Sequence, residues 1–303
     1  MSPSLIARPI DGKTCIVTGA SSGIGRASAE QLASMGAHVI MVCRSQERGE
    51  RAKTEVGTKS GSKSVELMLA DLASLTSVRA FAERFAKNHD SLHVLLNNAG
   101  VARPLRSRTI DGLETTFQVN YLSHFLLTNL LLPILKKSAP SRIINVSSVA
   151  HYGGHLNFDD LQMEKGYGVM RAYSQSKLAL VLFTHELARR LKGTGVTANC
   201  LHPGAVATNI WGDWLGPAAI LGKVTRLFML SPEKGAKTQA YLASSSDVEG
   251  VSGEYFEFHG KKESSEESYD QRLAERLWDV SAKMVGLPEG GRFSDSGTIS
   301  EIQ

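Results

Sequence analysis

Tyr173-Ser174-Gln175-Ser176-Lys177 sets a phenol and an ammonium four residues apart. On a helix the two share one face, with Cβ atoms about 6 Å apart. A free tyrosine, with a pKa of about 10, is a poor acid at neutral pH. A neighbouring cation favours the phenolate and draws that value toward the range where proton transfer is efficient. The pair could therefore act as a general acid/base. The spacing alone is common, and two unrelated helix-surface residues would look the same, so its meaning depends on the rest of the chain.

Near the N-terminus, Thr14-Cys15-Ile16-Val17 is a short, partly β-branched apolar run. Thr18-Gly19-Ala20-Ser21-Ser22-Gly23-Ile24-Gly25 follows it, and then the helix-like stretch Arg26–Ala33. Strand, glycine-rich turn and helix form the setting that a dinucleotide site requires. The glycines let the backbone turn tightly and approach a pyrophosphate, to which the helix N-terminus offers free N–H groups. The spacing is GxxxGxG rather than GxGxxG. The second apolar run, Val39–Val42, ends in Cys43-Arg44. A site that prefers NAD usually places an acid there to hold the ribose 2′-hydroxyl. Cysteine cannot make that bidentate bond, whereas arginine can pair with a 2′-phosphate. The expected cofactor is NADP(H).

Three further pieces follow in order. Leu95-Leu96-Asn97-Asn98-Ala99-Gly100 ends an apolar strand, Asn120 lies in Phe117–Leu122, and Arg142–Ser148 is a strand ending in two hydroxyls. Leu201-His202-Pro203-Gly204-Ala205-Val206-Ala207-Thr208 comes after the Tyr–Lys pair. Together and in this order they resemble the short-chain dehydrogenase/reductase family, over about residues 12–260. The resemblance implies a catalytic tetrad. Tyr173 matches the general acid/base, and Lys177 the lysine that holds the nicotinamide ribose and lowers the tyrosine pKa. Asn120 matches the asparagine that holds a water for proton relay. Ser148, the second of the pair, matches the serine that hydrogen-bonds the substrate oxygen. Cofactor contacts are implied at Gly19, Ser21, Ser22, Gly23, Ile24 and Gly25, and at Arg44, Asp71 and Leu72. The Asn98-Ala99-Gly100 turn, Tyr173 and Lys177, and Pro203, Gly204, Val206 and Thr208 complete that set.

A narrower likeness is carried by Val149-Ala150-His151-Tyr152, by Leu156–Gln162 and by Leu182–Val196. These resemble the retinol-dehydrogenase-like branch, as does the long gap between Ser148 and Tyr173. The branch implies a lipophilic aldehyde or ketone, or the matching alcohol, such as retinal or retinol. Steroid or xenobiotic ketones are the alternative substrates. A non-catalytic NADPH-binding sensor, or a protein that docks on a membrane or partner, is a less favoured class. Several branch members begin with a membrane-spanning helix. Here Met1–Pro9 is too short and polar for a signal peptide, and no run reaches the about 18 apolar residues of a spanning helix. The expected location is cytoplasmic, with peripheral membrane contact left open.

The positioning elements follow from pattern. Apolar strands alternate with helices from Lys13 to about Gly260, which predicts a doubly wound, mostly parallel seven-stranded sheet. Ligands of such sheets bind beyond the carboxyl ends of the strands, where Gly19, Asn98, Ser148 and Pro203 all fall. One oxidoreductase domain is expected over residues 12–287, between a short extension at 1–11 and a flexible tail at 288–303. Trp211–Leu230 interrupts the alternation with large apolar residues among glycines and reads as part of a substrate lid at about 205–230. A membrane-surface helix is the other reading of that segment, and Lys223 and Arg226 would suit it.

The chain has 303 residues, a net charge of +4 and 42% hydrophobic residues. Its cations are spread out, and Arg103, Arg106 and Arg108 lack interleaved aromatics, so a nucleic-acid partner is not expected. They read as a solvated loop. Cys15, Cys43 and Cys200 form no CxxC and no even-numbered set, which suggests free buried thiols. The histidines show no metal-ligand spacing. The helices near 112–135 and 172–192 carry more apolar residues than one packed side needs, so a homodimer or homotetramer through them is expected.

Overall fold

The computed structural model describes residues 10–206 and 230–288. Eight strands form one sheet: β1 (Thr14–Thr18), β2 (His38–Cys43), β3 (Val65–Leu69), β4 (Val94–Asn97), β5 (Ser141–Val146), β6 (Val196–His202), β7 (Tyr255–Glu257) and β8 (Gly260–Lys262). Their spatial order is β3-β2-β1-β4-β5-β6-β7-β8, parallel up to β7. Because β1 leads outward to β3 on one side and β4 starts the other side, the order reverses between β1 and β4. A crevice opens there at the carboxyl ends.

The seven expected strands are present, and an eighth lies beyond them. β8 pairs antiparallel with β7 through Phe258 and His259, which have φ of 45° and 69°. Two left-handed residues in a two-residue turn are what a tight hairpin needs. Asn-Gly or Asp-Gly is the usual signal for such a turn, and Phe-His conceals it.

Helices cover both faces. α1 (Gly23–Ser34) and α2 (Gln46–Ser60) lie on one face with α6 (Pro232–Ser244). The other face carries α3 (Leu75–Asn88), α4, α5 (Val169–Arg190) and α7 (Gln271–Met284). α4 starts at Thr115–Phe117, passes through a π turn at Gln118–Leu122 and continues over Ser123–Lys137. The inner strands read as near-continuous apolar runs because both faces are covered. β2, for example, is buried from Val39 to Cys43. Cys15, Cys43 and Cys200 are free and buried, as expected.

The apolar surplus on α4 and α5 is used inside the chain. Leu126, Leu127, Leu130 and Leu131 of α4 are buried, as are Leu178, Leu180, Val181, Leu182 and Phe183 of α5. α7 packs on these helices. Its Trp278 meets Phe125 edge-on at 5.0 Å between centroids and Phe183 at 5.7 Å. The surplus therefore has, at Trp278, an internal partner. Trp278 is 3% exposed. Trp278→Ala is expected to lower the unfolding free energy by about 3–5 kcal/mol in denaturant titration. A loss near zero would mean that α7 is not part of the cooperative core.

Candidate active site

β1 ends at Thr18 and the chain turns at Gly19, where φ is 69°. A Cβ on Gly19 would stand 2.9 Å from Ala99 Cα, and one on Gly25 would stand 2.5 Å from the Gly19 carbonyl oxygen. Only glycine lets the turns after β1 and β4 close on each other. α1 then opens with Ser22 as N-cap. Its side chain makes no capping bond, and no acid lies in the first turn. Without a side-chain cap, the N–H groups of this terminus suit an anionic group such as a pyrophosphate.

A cavity of about 1030 Å³ runs along these carboxyl ends. Gly19, Ser21, Ser22, Gly23, Ile24 and Gly25 line it, with Arg44, Asp71 and Leu72 along one side. Asn98, Ala99 and Gly100, Tyr173 and Lys177, and Pro203, Gly204 and Val206 also face it. Thr208 lies outside the described residues, as does the lid segment except for its ends at Ala205–Val206 and Leu230. Val206 and Leu230 form a parallel bridge, so the two ends of that segment meet beside the cavity.

Asn98 turns its side chain into the fold. Its Nδ2 donates to the Thr18 carbonyl at 2.8 Å, and its Oδ1 accepts from Gln239 Nε2 at 3.1 Å. It shapes the cavity through its backbone turn.

Ser148, Tyr173 and Lys177 converge at the other end. Ser148 follows β5 and caps a 3-10 turn at Val149–Gly153. Tyr173 and Lys177 sit one turn apart on α5, both buried. Burial pushes the Tyr173 phenol up to about 12, and a hydrogen bond from Ser148 partly offsets that rise. The expected lowering by Lys177 is not seen. Its Nζ lies 5.5 Å from the tyrosine ring centroid and donates to the Val146 carbonyl at 2.8 Å. Lys177 is itself pulled down to about 7 by burial. Removal from water disfavours both charged forms, and here that outweighs their mutual attraction. Tyr173 is thus a protonated phenol at neutral pH.

Asn120 lies behind this group, in the π turn of α4, a form common at functional sites. Its side-chain Oδ1 accepts from Val101 N–H at 2.7 Å. Its Nδ2 donates to the Val101 carbonyl and to Ser176 Oγ, each at 3.0 Å. The side-chain amide of Asn120 is thus engaged at both ends.

The family model described as short chain dehydrogenase matches residues 13–216. The chain belongs to the short-chain dehydrogenase family. Among its curated relatives, human (Homo sapiens) retinol dehydrogenase 14 is 48% identical over 91% of this chain and 87% of that protein. Human retinol dehydrogenase 11 is 44% identical over 92% of this chain and 87% of that protein. The retinol-dehydrogenase-like branch is therefore its place within the family, and oxidoreduction its reaction class. A crystal structure of an uncharacterized protein from Mycobacterium Paratuberculosis shares the fold at TM-score 0.76 and 34% identity, covering 93% of this chain and 96% of that one. A short chain dehydrogenase from Escherichia coli CFT073, complexed with NADPH, matches at TM-score 0.66 and 25% identity, covering 82% and 98%. No helix among the described residues is long and apolar enough to cross a membrane.

This short-chain dehydrogenase also carries cavity residues that the sequence reading passed over. Arg48 lines the cavity one helical turn after Arg44, in the first turn of α2. Among the described residues neither guanidinium has an ion-pair partner, whereas nearby Arg26 and Arg51 pair with Glu55 and Glu47. The i, i+4 spacing of two arginines after the second strand was the available signal. Beyond Ser148 and Tyr173, Val101, Ala102, Pro104, Val149 and Met170 form a mainly apolar wall, with Arg103 beside it. The arginines read as a solvated loop do more than that. Arg106 donates to the Gln162 carbonyl and Arg108 pairs with Glu164, tying the 103–108 loop to the segment before α5.

Proposed function

We propose that this enzyme reduces a lipophilic aldehyde or ketone with NADPH, and reversibly oxidises the matching alcohol, with retinal/retinol-like compounds as the leading substrate class. The geometry that carries the reading is the convergence of Ser148, Tyr173 and Lys177 on a cavity that Val101, Ala102, Pro104, Val149 and Met170 also line. A phenol that keeps its proton at neutral pH is the form a carbonyl reduction consumes. The cofactor supplies the hydride. Ser148 and Tyr173 hold the substrate oxygen and stabilise its growing negative charge. Tyr173 gives that oxygen a proton, and Lys177 with a water held at Asn120 restores it. Lys177 also holds the nicotinamide ribose in this reading.

A panel of retinal, medium-chain aldehydes, aryl ketones and steroid ketones, followed by loss of NADPH absorbance, tests this. Retinal and the long aldehydes are expected to turn over fastest. Steroid ketones turning over fastest would move the substrate class to the alternative, and no NADPH oxidation with any of them would overturn the reading.

The 2′-phosphate falls to Arg44, with Arg48 beside it. Charge-assisted bonds contribute about 1.5–3 kcal/mol, equivalent to roughly tenfold to a hundredfold. Arg44→Ala should therefore lower kcat/KM for NADPH by about that factor and leave NADH nearly unchanged. A wild type that prefers NADH would defeat the assignment of NADP(H).

A further inference from the structure

His124 takes no part in the reaction just described, yet it sits where the two halves of the site meet. It is fully buried on α4, one turn after Asn120. Its Nδ1 lies 2.9 Å from the Asn120 carbonyl oxygen. A carbonyl can only accept, so Nδ1 carries the hydrogen. Its Nε2 lies 3.0 Å from Thr18 Oγ1. On the neutral ring this nitrogen is an acceptor, so the Thr18 hydroxyl donates to it. Burial holds the ring neutral by pulling His124 down to about 4, with Lys177 adding to that shift.

Thr18 Oγ1 has further work. It accepts from the N–H groups of Asn98 at 2.8 Å and Ala99 at 3.0 Å. Those residues form the cavity-lining turn after β4 that Gly19 and Gly25 pack against. Donation to His124 fixes where the hydroxyl proton points, leaving the oxygen's lone pairs for the two N–H groups. The Leu96 carbonyl, 3.3 Å away, is the other acceptor within reach of that proton. Without His124 the hydroxyl would swing toward it, and its lone pairs would turn away from Asn98 and Ala99.

We propose that His124 is a positioning residue that sets the Asn120 carbonyl through one ring nitrogen and, through Thr18, the Asn98-Ala99 cofactor turn through the other. The two nitrogens serve different ends. Nδ1 supports proton transfer at the π turn, and Nε2 supports cofactor binding at the turn after β4. A histidine that merely fills space would show no such division.

The division can be read with half-mimics of the ring. An asparagine amide reaches where Nδ1 stands, and a glutamine amide reaches where Nε2 stands. His124→Asn, His124→Gln and His124→Leu would be compared with wild type in the full chain. The readouts are Kd for whichever nicotinamide cofactor wild type binds more tightly, kcat with saturating substrate, and the thermal midpoint. Using that cofactor separates this test from the assignment of NADP(H).

His124→Asn should weaken cofactor binding by about tenfold and keep kcat within about threefold. His124→Gln should lower kcat by about tenfold and keep Kd within about threefold. Should His124→Leu fail to fold, the other two variants still decide. Thr18→Val should weaken Kd like His124→Asn, and the double variant Thr18→Val/His124→Asn should add little, because both break one connection. Kd and kcat moving together in every variant, or only the thermal midpoint moving, would overturn the proposal.

Discussion

Tyr173→Phe is expected to cut kcat by roughly 100- to 10,000-fold and leave the cofactor Kd within about twofold, because it removes only a general acid. The ring keeps its volume in a site that is 6% exposed, so packing is preserved. Ser148 loses its phenol partner but keeps its hydrogen bond from Ala150 N–H. The loss should appear in kcat and kcat/KM together, as befits an interaction made as the proton moves. Steady-state kinetics beside cofactor fluorescence titration gives both numbers. A variant retaining more than about a tenth of wild-type kcat would remove Tyr173 from the acid role.

Lys177→Met should nearly silence the enzyme and at the same time flatten its stability–pH curve. The chain buries Lys177 to 2% exposure, and burial is the sole cause of its fall from 10.5 to about 7. A lysine with a lowered value binds more protons in the unfolded state across that interval. Unfolding free energy therefore rises with pH as the native ammonium deprotonates above 7. Between pH 7 and 9 the gain is about 2 kcal/mol, at 1.36 kcal/mol per unit discounted for incomplete titration. From about pH 8 upward the buried thiols of Cys15, Cys43 and Cys200, all raised from 9.0, act in the opposite sense, which closes the window. Methionine has similar length and no proton to lose. Denaturant titrations at several pH values should show a stability–pH slope smaller in the variant than in wild type by that amount, with kcat down at least about 100-fold. An unchanged slope in the variant would show that Lys177 stays charged in the folded protein.

The two experiments bear on a point where spacing misled. The i, i+4 pairing of Tyr173 and Lys177 correctly gave their common face, because helix geometry is local. It did not give the sign of the tyrosine shift. That sign depends on how deeply both groups are removed from water and on where the ammonium points, here to the Val146 carbonyl. Packing from β5, α4 and α5 decides both, and none of it is encoded in the pentapeptide.

By itself the sequence determined the strand–turn–helix at residues 14–34, the alternation that builds a parallel sheet, and the convergence of Gly19, Asn98, Ser148 and Pro203 at one edge. These rest on local periodicity, on glycine conformations and on the rule that ligands sit beyond strand carboxyl ends, so no long-range contact is needed to read them. Only the tertiary structure decided the rest. The hairpin strand β8 turns on two left-handed residues of unexceptional type. Phe125 of α4 and Phe183 of α5 pack against Trp278 of α7, far later in the chain. Arg48 and the wall of Val101, Val149 and Met170 become cavity residues through loop placement. The Asn120 amide is engaged with Val101, and His124 joins Thr18 to Asn120 across 106 positions. Each of these is a contact between segments far apart in sequence, and a residue's neighbours across the core leave no trace in its own local pattern.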